Sequence, residues 1–251
     1  MPLNQRRTKI LNLIREDGHA KVQKLAQLFN VSEVTIRQDL EQLEEMGFVQ
    51  REHGGAFLKD VGDFARSQRL FNLSNMEEKA EIARKAVSLI NDGDSIILDS
   101  GSTTTEIAKL LKDFKHLTVI TNALNIALII GEIPGFDLIV SGGEFKAPTL
   151  SLTGDLAATV FRSIHVDKLF LATAGISDDM LLTYPSYSDL VVKSAMIRAA
   201  GKVYLVADSS KIGNSSFASL GQLSLVDAFI TDSKITEKQL KVLREMNVVV
   251  L

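Results

Sequence analysis

Four short stretches of this 251-residue chain collect the side chains able to do chemistry. "LDSGSTTTE" puts Asp99 at the end of an apolar run, then Gly101, then Ser102, Thr103 and Thr104 at the start of a helical pattern. Free N–H groups at a helix start, the helix dipole and three hydroxyls together make a cradle for an anion, most naturally a phosphate. Serine and threonine also open many helices as simple caps, so this stretch alone leaves both readings open. "ITNA" brings Thr121 and Asn122, which can bond hydroxyls. In "VSGGE", Gly142 and Gly143 let backbone approach a ligand closely, or serve a tight turn. "VADSSKIG" adds Asp208, an acceptor for sugar hydroxyls, and Lys211, a partner for phosphate or carboxylate. Lys193, on the preceding helical stretch, could also point inward, but a solvated helical lysine is the favoured reading. Hydroxyls, glycines, one acid and one lysine together favour a phosphorylated polyol over an apolar ligand.

Other chemistries find little support. There is no cysteine, which excludes disulfides and thiolate metal sites and suits a reducing cytoplasm. None of the four histidines, His19, His53, His116 and His165, sits in HxxxH or HExxH spacing, and no acidic cluster occurs, so no metal, cofactor or catalytic residue is expected. No apolar run reaches 18 residues and the N-terminus lacks a signal core, so the expectation is a cytoplasmic protein that does not engage a membrane.

The elements that must position these stretches fall into two patterns. From Asn75 onward, helical periods alternate with short runs rich in Val, Ile and Leu, unbroken by polar alternation. Such runs are strands buried on both faces of a mostly parallel sheet, so the region 75–251 is expected to be an open α/β domain. Its first helix is expected to end near Gly93 and the stretch before "DLVVKSAMIRAAG" to be irregular. Ligands of open α/β sheets bind beyond the carboxyl ends of the strands, where all four polar stretches lie.

Residues 1–57 read differently: helix, helix, tight turn, helix and a small hairpin. Behind Arg6, Arg7 and Lys9, Ile10, Leu13 and Ile14 recur at helical spacing. A second helix spans 22–29, and Ser32 is placed to cap a third. There Ile36, Leu40 and Leu43 form the inward stripe, while Val34, Gln38 and Glu41 face outward, flanked by Thr35 and Arg37. "FVQREHGGAFL" reads as the hairpin, with a polar tip. This is the winged helix-turn-helix order, whose third helix enters the major groove of double-stranded DNA. Thr35 can reach a phosphate or a thymine methyl, Arg37 a phosphate or guanine, and Gln38 suits adenine. Arg51 and His53, at the hairpin tip, can touch the DNA backbone or enter the minor groove, with Gly54 and Gly55 permitting close approach. Residues 1–60 hold nine basic and nine acidic side chains against a net charge of -3 overall, so any DNA footprint lies in placement rather than total charge. Residues 58–74 lack a sustained period and read as the linker.

"VSEVTIRQDL" and "REHGGA", within a match of about fifty residues, resemble the DNA-binding domain of the DeoR-type bacterial transcriptional regulators. That family usually carries two arginines where this chain has Arg37 and Gln38. "DSGSTTTEIAKLL", "TNA", "SGG" and "VADSSKIG" resemble the effector domain of the same regulators, itself similar in fold to ribose-5-phosphate isomerase. The resemblance implies a domain that senses a phosphorylated sugar or related intermediate and controls binding to operator DNA. It implies Gly101, Ser102, Thr103 and Thr104 at the phosphate and Asp208 and Lys211 near the sugar. "ATAGISDDMLLTYPSYSD" departs from the commoner family form, and its Thr183, Tyr184, Ser186 and Tyr187 are candidates for choosing the sugar. A repressor of a sugar-use operon is the favoured reading. The alternative, a sugar-phosphate isomerase with an appended DNA domain, would draw on Asp99 and Asp208 as carboxylates, but the isomerase's acid-rich and Gly-rich catalytic loops are not evident. Two-fold reading of two half-sites implies a homo-oligomer, a dimer or a tetramer.

Overall fold

The computed structural model describes residues 5–17, 19–52, 54–58, 75–146 and 149–251. Contacts divide the chain into an N-terminal unit and a larger one that follows. His53 and residues 59–74, all of the linker but Leu58, lie outside the described residues.

The N-terminal unit runs α1 (Gln5–Asp17), β1 (His19–Lys21), α2 (Val22–Phe29), α3 (Glu33–Glu45), β2 (Val49–Glu52) and β3 (Gly55–Leu58). Ile36, Leu40 and Leu43 are buried against Ile10, Ile14 and Leu25, as their helical spacing requires. Asn30 ends α2 in the left-handed conformation at φ 49, which Asn tolerates, and this makes the turn short. Ser32 Oγ then accepts from the Thr35 amide at 3.1 Å and caps α3.

The wing holds one strand more than the hairpin expected from sequence. β2 and β3 are antiparallel with Glu52 opposite Gly55, and β1 pairs along the other edge of β3 with Lys21 opposite Gly55. Three residues are too few to carry a readable period, so β1 is legible only from its partner. It also explains a glycine: a Cβ on Gly55 would stand 2.5 Å from Ala20 O, so the close approach of β1 demands glycine there.

Asp39, on α3, is 1% exposed and accepts from Arg6 Nε at 2.5 Å and Arg7 Nε at 2.9 Å. The first two residues of the basic cluster thus tie α1 to α3. Because both guanidiniums keep partial access to water, Asp39→Ala should lower the unit's stability by about 1–3 kcal/mol. Lys9→Ala, at an exposed position, should change it by less than about 0.5 kcal/mol. Denaturant unfolding of the full chain checks both.

The larger unit is built on a seven-stranded sheet in which every pairing is parallel. After α4 (Met76–Val87) come β4 (Ser95–Leu98), α5 (Ser102–Lys109), β5 (Thr118–Thr121), α6 (Leu124–Gly131) and β6 (Asp137–Val140). A two-stranded sheet of β7 (Glu144–Lys146) and β8 (Ser151–Thr153) precedes α7 (Gly154–Arg162) and β9 (Val166–Leu171). Next are β10 (Gly175–Ile176), β11 (Leu181–Tyr184), α8 (Tyr187–Ala199), β12 (Ala200–Val206) and β13 (Ala218–Gln222). The chain finishes with β14 (Ala228–Ile230), α9 (Glu237–Glu245) and β15 (Val249–Val250). Strand order is β15-β14-β12-β9-β4-β5-β6. The chain therefore starts at β4, steps outward to β6, and returns to the opposite side of β4 through β9. This reversal is a topological switch point, and it sets the loops after β4 and β9 side by side.

Three expectations are corrected. α4 stops at Val87, not near Gly93: Ser88 Oγ donates to Lys85 O at 2.7 Å, and the Asp94 carboxylate accepts from the Asn91 amide at 2.7 Å to form a turn in which Gly93 takes φ 90. The stretch read as irregular holds β11, the middle strand of a three-stranded antiparallel sheet, β10-β11-β13. Finally, β6 is not buried on both faces; Ile139 and Val140 are exposed because β6 is the sheet's edge.

Candidate functional site

At the switch point Asp99 follows β4 with none of its surface exposed. Its Oδ1 accepts from the Ser100 amide at 2.7 Å, and its Oδ2 accepts from the Ala172 amide, just beyond β9, at 3.0 Å. Lys193 Nζ on α8 donates to the same carboxylate and lies 3.2 Å from Ser100 Oγ. Burial pushes the Asp99 carboxyl up, opposed by the Lys193 charge and by these hydrogen bonds. Beside them the Tyr184 hydroxyl donates to Ala172 O at 2.8 Å, and burial together with Asp99 raises the phenol well above its usual range. Lys193 Nζ stands 5.7 Å from the centre of the Tyr184 ring.

Lys193 is therefore a core ion-pair partner, 4% exposed, not the solvated lysine expected. Asp189, Val192, Lys193 and Met196 are all buried, an i, i+3, i+4, i+7 stripe, and a lysine on such a stripe was the signal available in the sequence.

Two residues after Asp99, Gly101 is extended, and a Cβ there would meet Ala172 Cβ at 2.8 Å. Glycine lets the loops after β4 and β9 close together. α5 begins next. Thr104 Oγ1 and Thr105 Oγ1 donate back to Gly101 O at 3.0 and 2.6 Å, and the Thr105 amide donates to it at 3.0 Å. The amides of Ser102, Thr103 and Thr104, in the first turn, have no intrahelical acceptor. Ser102 is half-buried, whereas Thr103 and Thr104 are buried, so Ser102 is the hydroxyl of the three with access to solvent.

Thr121 is committed to the frame: its hydroxyl donates to Leu98 O at 2.7 Å and accepts from the Ala123 amide at 3.1 Å. Asn122 accepts from the Ser100 amide at 3.1 Å and donates to Leu152 O at 3.1 Å, fixing the loop that leads into the cradle. Gly143 has φ 119 and would carry a Cβ 2.7 Å from Thr153 O, so it serves packing against α7; Gly142, at φ 67, faces open space. Thr183 is likewise internal, donating to Gly175 O at 2.9 Å, while Ser186 donates to Asp189 Oδ2 at 2.9 Å and Tyr187 is exposed.

Asp208, beyond β12, is 2% exposed and accepts from Ser210 Oγ and, at 3.0 Å, from Asn75 Nδ2. Lys211 is half-buried on the short 3-10 turn Ser209–Lys211. Lys79 of α4 is buried near both. Burial lowers its ammonium, Asp208 opposes this, and Lys211 adds to it. Neither Asn75 nor Lys79 was singled out from the sequence, although Lys79 shares a stripe with Ile82, Ala83 and Ala86.

On the N-terminal unit, Val34, Gln38 and Glu41 lie on the exposed face of α3. Thr35 Oγ1 shares a hydrogen bond with Ser32 Oγ at 2.9 Å. Arg37 Nη2 donates to Glu33 Oε2 at 2.5 Å, an exposed pair of small net strength that a phosphate can replace. Arg51 does not stand at the hairpin tip. Its Nη1 is 3.4 Å from the Glu41 carboxylate and its amide donates to Glu44 Oε1 at 2.7 Å, so it leans on α3. Among the described residues no group of three or more His, Cys, Asp or Glu could hold a metal, and no helix is long and apolar enough to cross a membrane.

Residues 6–60 match the DeoR-like helix-turn-helix domain, and residues 74–233 match the DeoR C terminal sensor domain. The chain is 34% identical over 235 residues to the HTH-type transcriptional regulator GolR of Listeria innocua, covering 93% of this chain and 92% of that protein. It is 30% identical over 250 residues to the glycerol-3-phosphate regulon repressor of Escherichia coli, covering 99% and 98%. Among solved structures it is similar to ribose 5-phosphate isomerase A of Methanocaldococcus jannaschii, at 17% identity and a TM-score of 0.41 over 55% of each chain. The chain belongs to the DeoR family of transcriptional regulators.

Proposed function

We propose that the protein represses a sugar-metabolism operon and that a phosphorylated sugar or related intermediate controls its grip on operator DNA. The observation that carries the effector half is the start of α5 at the switch point, with three amides lacking intrahelical acceptors and Ser102 beside them. Asp208 and Lys211 would meet the sugar. The proteins it is most usefully compared with include one named for the glycerol-3-phosphate regulon, which supports a phosphorylated polyol. An isomerase is disfavoured because Asp99, its best-placed carboxylate, is sequestered by Lys193 and two amides and has no free edge for a substrate C–H. Operator binding as a homodimer, or as a tetramer of two such pairs, follows from two-fold half-site reading.

Gln38→Ala should cost about 1–3 kcal/mol at its own base pair and less elsewhere in a selected DNA site. Arg51→Ala should weaken binding to all sequences alike and reduce the salt slope by about 1. Equal losses on selected and random DNA would remove Gln38 from base readout. The reading as a whole is tested by calorimetry: selected DNA must change sugar-phosphate affinity by the factor with which the sugar phosphate changes DNA affinity. Identical effector affinity with and without DNA would end the coupling.

A further inference from the structure

Asn75 is the first described residue after the stretch that joins the two units in sequence, and its backbone is left-handed at φ 54. Asparagine is among the few residues that take this conformation readily. From that position Nδ2 donates to Asp208 Oδ1 at 3.0 Å and lies 3.1 Å from Ser210 Oγ, residues 133 and 135 positions away. The helix that Asn75 opens continues the pattern. Glu78 pairs with Lys234, Ser233 Oγ donates to Glu81 Oε2 at 3.0 Å, and Lys85 Nζ donates to Thr231 O at 2.7 Å. α4 is thus laced by polar contacts to the loops that follow β12 and β14.

The first of these contacts differs from the rest because it occupies a carboxylate wanted elsewhere. Asp208 Oδ1 already accepts from Asn75 and Ser210. Asp208 is 2% exposed whereas Asn75 is exposed, so a sugar hydroxyl that reaches this carboxylate from solvent competes for it with the Asn75 amide. We propose that Asn75 is a positioning residue that transmits effector occupancy: a polyol on Asp208 displaces the Asn75 amide and frees the first turn of α4, where the chain arrives from the DNA-binding unit. This rests on the sugar-phosphate reading above and adds the route by which that site acts. It follows by linkage that breaking the clasp does, without any effector, part of what the effector does.

The test needs no effector. The full chain first selects a DNA fragment from a random-sequence library, and affinity for that fragment is then compared among variants. Asn75→Gly keeps the left-handed backbone accessible while deleting the amide. Asn75→Asp keeps the shape but sets a second carboxylate against Asp208. Both should remain folded by circular dichroism, weaken DNA binding by about 5-fold or more, and speed hydrogen exchange at Lys79, whose amide donates to Asn75 O at 3.0 Å. Combining Asn75→Asp with Asp208→Asn restores the hydrogen bond with donor and acceptor exchanged, and should return DNA affinity toward wild type. A merely structural contact would leave DNA affinity unchanged in single variants that remain folded. Unchanged DNA affinity in both single variants, or no recovery in the double, overturns the clasp while leaving the regulator reading intact. A wild-type chain that selects no DNA sequence would overturn the regulator reading, and this inference with it.

Discussion

Lys193→Met should destabilise the larger unit by about 3–5 kcal/mol at neutral pH, the penalty for leaving a buried carboxylate without its countercharge. Lys193 and Asp99 are 5% and 0% exposed at the side chain, so water cannot take over the lost role. Methionine keeps most of the volume, which separates the charge effect from a cavity. The sign with pH follows from Asp99, whose carboxyl is raised by burial even with Lys193 present. A raised acid contributes stability that is present at low pH and lost as pH climbs through its folded value. Removing Lys193 raises that value further. The variant's deficit should therefore be small in acid, where Asp99 is protonated in both proteins, and grow as pH rises toward neutrality. Adding Asp99→Asn to Lys193→Met should recover part of the loss, since the neutral amide still accepts from the Ser100 or Ala172 amide. Urea unfolding of the three variants at about pH 4 and about pH 8 measures this. A deficit independent of pH would mean that Lys193 acts by packing alone.

The Ser102→Asp chain is expected to fold, to bind DNA as wild type does, and to stop answering to sugar phosphates. Ser102 is the first residue of α5, where a carboxylate is favoured by the helix dipole, so the substitution does not work against the helix. Its fixed charge instead occupies the place proposed for the phosphate. At roughly 4 Å, one pair of like charges repels by about 1 kcal/mol in water and about 4 kcal/mol near a protein surface. A dianion should then lose at least about 2 kcal/mol, or roughly 30-fold in affinity. Titrating sugar phosphates into the DNA complex reads the effect, with release retained by wild type and lost by the variant. The same protein separates sensing from catalysis. Sustained aldose–ketose exchange by wild type, followed by NMR and abolished in Ser102→Asp, would replace the regulator reading by the isomerase one. Release of DNA that survives the substitution would move the phosphate away from α5.

Much of this architecture was legible because it obeys short-range rules. Ser32 before the "EVTIRQDL" run caps α3 because a hydroxyl at that place can only reach the next turn's amide. Ile36, Leu40 and Leu43 had to face inward, since their spacing admits one buried side. The Val/Ile/Leu runs at 95–98, 118–121 and 166–171 became central parallel strands for the same kind of reason. Asp99, Gly101 and Ser102 were visible as a strand end, a turn and a helix start, and the strand order brought them to the switch point.

What escaped the sequence depends on partners far along the chain. A lysine within a helix is ordinarily solvated because burying its charge is costly, and only a carboxylate 94 residues earlier reverses that for Lys193. Asn75 looks like a plain helix opening until Asp208 is folded against it. β1 has three residues and no period, and exists because β3 offers it an edge. β6 has the composition of an interior strand, yet sheet order alone left Ile139 and Val140 at its rim. The chain's local pattern settled which segments are helices and strands and which ends carry polar groups. Which of those groups are spent on one another, and which remain open to a ligand, was decided by contacts between residues that no local rule relates.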